Sequence, residues 1–284
     1  METKLSSSSK EVIIGGGRST VLIGERINPT GKKKLTAALQ TGDMEPIRKE
    51  ALEQTTAGAD ILDVNVGALG IDQIAVLPQT IQHIMGSVDI PLCIDTDNIK
   101  ALEAALNVYK GKALVNSVTG EEKSLANVLP LIKEHRAAVV GLVQDDKGTP
   151  ADSDRRVAIA HKIVDRAEAL GIPREDVIID CLAFAIGANS KAGVEVIDTI
   201  HRIKEELGVN VTMGASNVSF GMPDRDLLNN AFIATVIAAG ATCLIVDVAR
   251  VRPIVLAVDV ILGHDPYARR YTKAYRERQK AKQI

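Results

Sequence analysis

The 284-residue chain has no tryptophan, and aromatic residues make up only 2% of it, so its core has to be assembled from aliphatic side chains. The hydrophobic share is nevertheless 46%, the Val-, Ile- and Leu-rich composition expected of parallel strands buried on both faces. Cysteine is scarce too. Cys93, Cys181 and Cys243 lie far apart, each inside an apolar run, which argues against a disulfide framework and reads as buried free thiols in a reducing, cytoplasmic compartment. None of the five histidines falls at the end of an apolar run, so neither a catalytic zinc nor a Ser-His-Asp apparatus is expected. A formal net charge of -2 gives no surplus of Lys and Arg for a nucleic-acid surface. The amino terminus carries Lys4 and four serines, Ser6 to Ser9, where a secretory signal would need an apolar core. The longest apolar region, Ala231 to Ala249, is broken by Gly240, Thr242 and Asp247 and reads as helix, turn and strand, not as a membrane span.

What the chain does have is rhythm. Short aliphatic runs recur at Val21 to Ile27, Ile61 to Val66, Pro91 to Thr96, Ala113 to Val118, Ala138 to Gln144, Val177 to Leu182, Val211 to Ser216 and Cys243 to Val248. Between them lie segments with apolar residues three and four apart, such as Ile47-Ala51-Leu52 and Val157-Ala160-Ile163-Val164, the spacing of a helix with one face to pack on a sheet. Gly58, Gly171 and Gly208 stand where helices would stop in a left-handed residue. Eight strands alternating with helices fit a single-domain (β/α)8 barrel of the TIM type; an open doubly wound sheet would more often have five or six strands. The spacing predicts a tail and short cap over residues 1–19, the barrel over 20–265 and a basic helical tail over 266–284, with Arg269, Arg270, Lys273, Arg276, Arg278, Lys280 and Lys282. The glycine triplet Gly15 to Gly17 lacks the lysine and helix of a phosphate loop and reads as a turn.

The carboxyl ends of these runs are polar almost without exception. In order they give Glu25, Arg26 and Asn28; Asp63 and Asn65; Asp95, Thr96 and Asn98; Asn116 and Ser117; Gln144; Asp180; Ser216 and Asn217; and Asp247. Burying one carboxylate or amide without a partner costs several kcal/mol in principle. A barrel turns such residues into one shared mouth, so the placement suits a binding site for a polar, planar ligand. A carboxylate can accept parallel bonds from a ring N–H and its neighbouring exocyclic amine, as a 2-amino-4-oxo pyrimidine ring offers them, and an amide can both donate and accept.

The motifs Ile23-Gly24-Glu25-Arg26-Ile27-Asn28, Leu62-Asp63-Val64-Asn65-Val66-Gly67, Cys93-Ile94-Asp95-Thr96-Asp97-Asn98, Val115-Asn116-Ser117, Ile179-Asp180 and Ser216-Asn217-Val218-Ser219 follow one another in an order that resembles the pterin-binding methyltransferase family. That family includes methyltetrahydrofolate:corrinoid/iron-sulfur protein methyltransferase and the folate domain of cobalamin-dependent methionine synthase. The resemblance implies a barrel, dimeric in most stand-alone members, that takes tetrahydrofolate or 5-methyltetrahydrofolate as substrate. It exchanges the methyl group with the cobalt of a corrinoid supplied by a partner protein. Carried over residue by residue, it implies that Asp95, Asn116 and Asp180 anchor the pterin, that Asn217 contacts nitrogen 5 as the catalytic amide, and that Asp63, Asn65 and Ser216 support the same mouth. Arg225 matches a basic position after the seventh strand. Phe220-Gly221-Met222-Pro223 departs from the more polar loop of the acetogenic enzyme at the place where a corrinoid partner would touch. The rival expectations are a dihydropteroate synthase, which would show a Ser-Arg pair where this chain has Ser216-Asn217, and a pterin-binding subunit without catalysis.

Overall fold

The computed structural model describes residues 1–281, and its architecture follows from the eight aliphatic runs. They form the parallel strands β3 (Val21–Ile27), β4 (Ile61–Asn65), β5 (Leu92–Asp95), β6 (Leu114–Thr119), β7 (Ala138–Leu142), β8 (Val177–Asp180), β9 (Asn210–Thr212) and β10 (Cys243–Val246). These follow β1 (Glu2–Ser6) and β2 (Glu11–Gly15), which pair antiparallel. β3 to β9 lie in sequence order, with β10 beside β3. Backbone bonds from Thr242 N to Val211 O (3.0 Å) and from Ile245 N to Met213 O (3.1 Å) join β10 to β9 and close the sheet into a (β/α)8 barrel.

Because side chains alternate across a strand, each strand splits its residues between two cores. Leu22, Leu62, Val64, Ile94, Val115, Val139, Ile179, Val211 and Leu244 face the helices in one buried cluster. Val21, Ile23, Ile61, Cys93, Leu114, Ala138, Val140, Ile178, Cys243 and Ile245 fill the barrel interior. The helices are held at their starts by side-chain caps: Asp72, Asn98 and Asp152 each accept a backbone N–H of the first turn. Gly58, Gly171 and Gly208 do have positive φ, of 99°, 81° and 70°.

The amino terminus differs from the tail that the sequence suggests. β1 and β2 make a hairpin whose Leu5, Val12 and Ile14 join the interior cluster, so the hairpin plugs the barrel at the amino ends of its strands. The signal was present but short: Leu5 alternates with polar residues, and only pairing with Val12 to Ile14 makes the pattern a strand. The basic carboxy-terminal segment forms a helix, Arg269–Ala281, at that same end, where Arg270 approaches Asp60 and Asp259. Lys282 lies outside the described residues. Among these residues no helix is long and apolar enough to cross a membrane.

Candidate functional site

The two-residue period that fills the interior with aliphatic side chains also decides what ends up at the other mouth. Counting inward positions along each strand, Val21 and Ile23 lead to Glu25, Ile61 to Asp63, Cys93 to Asp95, Leu114 to Asn116, Ile178 to Asp180, and Cys243 and Ile245 to Asp247. β7 ends this series on an apolar residue, Leu142, and β9 on Gly214. The result is a cavity of about 480 Å³ lined by Glu25, Arg26, Lys32, Asp63, Asp95, Asn116, Asp180, Asn217 and Asp247, with Leu142, Leu182, Ala183 and Ile245 as its apolar patches.

Within it, Asp63 lies deepest and is only 3% exposed. Asn116 Nδ2 donates to Asp63 Oδ1 at 3.3 Å, and Asn65 Nδ2 donates to Asp95 Oδ2 at 2.9 Å. Asn65 itself is fixed by Gly67 N, which donates to Asn65 Oδ1 at 2.7 Å. Burial pushes the Asp63 carboxyl up to about 8, and the neighbouring Asp95 pushes in the same direction. Asp95 is also raised by burial, against the pull of the Asn65 amide. Two carboxyls this close cannot both ionise cheaply. The deeper one, Asp63, is the one that burial and its neighbour hold protonated at neutral pH.

Asp180 follows a different logic. It is buried, and burial raises it to about 6, while Leu182 N, donating to Asp180 Oδ1 at 2.7 Å, and the guanidinium of Arg156 oppose the rise. At neutral pH it is ionised. Leu182, two residues on, has φ of 57°, a conformation that costs a leucine about 1–2 kcal/mol, so the turn after Asp180 is held by its surroundings.

Asn217 sits in a short 3-10 turn, Ala215–Ser219, directly after β9, and is exposed to the mouth. Gly214 makes room for it: a Cβ there would lie 3.0 Å from Asn217 Nδ2. Ser216 points elsewhere, its hydroxyl donating to Glu25 Oε1 at 3.3 Å. The Glu25 carboxyl is raised by burial, with Ser216 opposing.

Of the residues expected from sequence, Asp63, Asp95, Asn116, Asp180 and Asn217 line one cavity. Asn65 and Ser216 brace it from beside. Arg225 does not line it. Its Nε donates to Ser219 Oγ at 3.0 Å and its Nη2 to Ser216 O at 2.9 Å, and it stacks on Phe220. It thereby pins the turn that carries Asn217 and faces an adjoining cavity with Asn229 and Arg250. Lys32, which no sequence pattern marks, lines the mouth and donates to Arg26 O at 2.6 Å. Glu25, Arg26 and Asp247, strand-end residues in the sequence, line it as well. Arg26 makes a bidentate pair with Glu50 at 2.9 and 3.0 Å and reaches Asp247 Oδ2 at 3.4 Å. The two-residue period from Val21 could have placed Glu25 inside; Lys32 lies in a loop where no period applies.

Comparison with known proteins bears on this arrangement. The family described as "Pterin binding enzyme" matches residues 24–247. The methionine synthase of Mycobacterium leprae is 30% identical over 266 residues, which is 89% of this chain and 22% of that protein; the chain thus spans about a fifth of the methionine synthases it matches. A methylcorrinoid:tetrahydrofolate methyltransferase of Eubacterium limosum is 29% identical, over 90% of this chain and 96% of that protein. Among solved structures, the dihydropteroate synthase of Xanthomonas albilineans superposes with a TM-score of 0.71 at 19% identity, covering 92% of this chain and 98% of that one, a likeness of fold. With the matched segment running from the first barrel strand to the last mouth carboxylate, the chain belongs to the pterin binding enzyme family.

Proposed function

We propose that this protein transfers a methyl group between nitrogen 5 of tetrahydrofolate and the cobalt of a corrinoid carried by a partner protein. The observation that carries the reading is an amide, Asn217, standing exposed beside a mouth lined by Asp63, Asp95, Asn116 and Asp180. Dihydropteroate synthesis would call for a basic side chain in its place.

In this reading Asp180, ionised, accepts the ring N–H and exocyclic amine of the pterin in parallel, and Asp95 and Asn116 take the remaining edge. Asp63, protonated, stays beneath and holds Asn116. The ring is then fixed with nitrogen 5 toward Asn217. A tertiary amine leaves poorly unless positive charge on its nitrogen is accommodated as the transition state forms. Asn217 serves that need because its amide can accept from a protonated nitrogen and donate to an unprotonated one, so it follows the proton in either direction of transfer. The corrinoid supplies the cobalt that gives or receives the methyl group. Phe220, exposed and immediately after the turn that carries Asn217, offers an apolar contact to a protein that presents it.

The test is the visible spectrum of methylcobalamin mixed with the protein and tetrahydrofolate under anaerobic, reducing conditions. Loss of the methylcobalamin bands with formation of 5-methyltetrahydrofolate supports the reading. If free cofactor is inert, the same assay with a methylated corrinoid protein decides: no transfer there, despite tetrahydrofolate binding, leaves a binding subunit. Condensation of a pterin diphosphate with an aromatic amine would overturn the reading in favour of a synthase.

A further inference from the structure

Among the described residues Arg156 is the largest wholly buried side chain, and it is charged. It lies on the helix Ser153–Ala169, on the face turned toward β8. Among the described residues no carboxylate makes a hydrogen bond or close ion pair with it. Its Nε donates to Pro150 O and its Nη1 to Cys181 O, both at 3.1 Å, it stacks on Phe184 with 5.0 Å from the guanidinium carbon to the ring centroid, and Nη2 is buried without a partner. A buried cation so poorly paired is expensive and needs a reason. Three carbonyl and ring contacts would be met more cheaply by a neutral side chain.

The reason lies one residue before the carbonyl it holds. Cys181 O belongs to the turn that positions Asp180, and Asp180 is the buried carboxylate at the centre of the proposed pterin site. The groups that feel the Asp180 charge are few. Cys181 beside it and Cys243 on β10 are buried thiols held protonated by burial; Glu25, Arg26, Lys32, Asp63, Asp95 and Asp247 line the same mouth. Arg156 is the cation packed behind it; Asp152, which caps the same helix, and Glu195, in the first turn of the helix Ala192–Glu206, also act on that guanidinium, each more strongly than Asp180 does.

Resting on the proposed function, we infer that Arg156 is a positioning residue for pterin binding: it supplies a counter-charge behind Asp180 at the floor of the mouth and, through Cys181 O, fixes the turn that aims the carboxylate. Were Asp180 neutral, it would bring a proton of its own to a place where the pterin offers only donors. The guanidinium suits this task better than a directly bonded partner, because both carboxylate oxygens stay free of side-chain competition.

The test follows tetrahydrofolate binding by calorimetry from about pH 5 to about pH 9 in the 284-residue protein. Wild-type binding should weaken as Asp180 takes up its proton near pH 6. In Arg156→Met, which keeps the bulk and loses the charge, the midpoint should rise by about one unit, the lower range for loss of a nearby charge, whereas Arg156→Lys should restore much of it. A merely structural arginine would lower the melting temperature in both variants and leave the midpoint unmoved, and that result overturns the inference. If Arg156→Met does not fold, adding Asp180→Asn removes the need for a counter-charge and should rescue folding; no rescue overturns it as well. Wild-type protein that binds no tetrahydrofolate at any pH would overturn the functional reading itself, a distinct outcome from binding whose pH midpoint ignores Arg156.

Discussion

The two ends of the barrel carry acids in similar settings and use them in opposite ways. At the amino end, Asp259 is wholly buried but accepts from Thr20 N at 3.1 Å and Thr20 Oγ1 at 2.8 Å, with Arg270 and His264 nearby. Asp176 pairs with Lys112, and Asn210 Nδ2 donates to Thr3 Oγ1 and Ile14 O of the plugging hairpin. Burial raises Asp259 and Asp176, and bonded donors oppose it. At the carboxyl end, Asp63, Asp95 and Asp180 are raised by burial with only one or two donors each. At the plugged end the acids are closed off by protein, although Asn210 Oδ1 and His264 Nδ1 keep no partner there; at the mouth Asp63, Asp95 and Asp180 each have one hydrogen-bonded donor and also face an open cavity. This difference identifies the mouth more firmly than the acids alone, because buried polar groups are normally paired.

If that contrast is functional, the largest effect belongs to the residue with no structural work to do. Asn217→Ala should lower the methyl-transfer rate constant by about 10²–10³, the usual loss for one preorganised polar group, while tetrahydrofolate affinity and melting temperature stay near wild type. Single-turnover spectroscopy with a methylated corrinoid measures the first, and calorimetry the second. At the opposite end the pattern should reverse. Leu5→Ala empties part of the hairpin plug and should cost about 3 kcal/mol of stability, read by urea denaturation, with the pterin site unchanged.

Asp180→Asn probes both sides at once. The amide offers one acceptor and presents donors to donors, so tetrahydrofolate should bind about 30-fold more weakly, corresponding to about 2 kcal/mol for a charged bidentate contact. The ligand-free protein should be stabilised at alkaline pH. The sign follows from linkage: the folded-state value, about 6, exceeds the ordinary carboxylate value of 3.8, so the folded protein binds more protons than the unfolded one between them and stability falls as pH rises through that window. Above it the wild type bears the full cost of a buried charge and the Asn variant does not. A melting temperature for Asp180→Asn at pH about 8 that is lower than wild type would contradict this account.

Much of this arrangement is readable in the sequence. The aliphatic runs give the strands to within a few residues, and the two-residue period from Ile61 to Asp63 or from Ile178 to Asp180 already aims the polar residue inward. What is not readable is which polar residue faces which. Ser216 and Asn217 are adjacent in the sequence, yet the 3-10 turn sends one to Glu25 and the other to the cavity; no period operates there. Arg225 follows that turn by a few residues and yet holds its backbone from outside the mouth. Arg156 was hidden for another reason: in Ser153-Asp154-Arg155-Arg156-Val157 it looks like one of two arginines on a solvated helix start, and only the packing of that helix on β8 distinguishes it from its half-buried neighbour.

The smallest expected effect concerns the basic carboxy-terminal helix. Its charge would suit steering of an acidic corrinoid protein if it lay near the mouth. It lies instead at the plugged end, tied by Arg270 N and Tyr271 N to Asp265 at 3.1 and 3.0 Å and close to Asp259. From Thr20 to Glu25 along β3 is a climb of roughly 3.3 Å per residue, more than one Debye length of about 8 Å at physiological salt, and the loops of the mouth add to it. Charge on this helix is therefore screened from anything docked over Asn217. Arg269→Glu with Lys273→Glu should change kcat/KM for a methylated corrinoid protein by less than about twofold at physiological salt, the residual effect growing as salt is lowered. A tenfold loss would mean that the partner reaches around to the plugged end, and the contrast between a working end and a structural one would have to be redrawn.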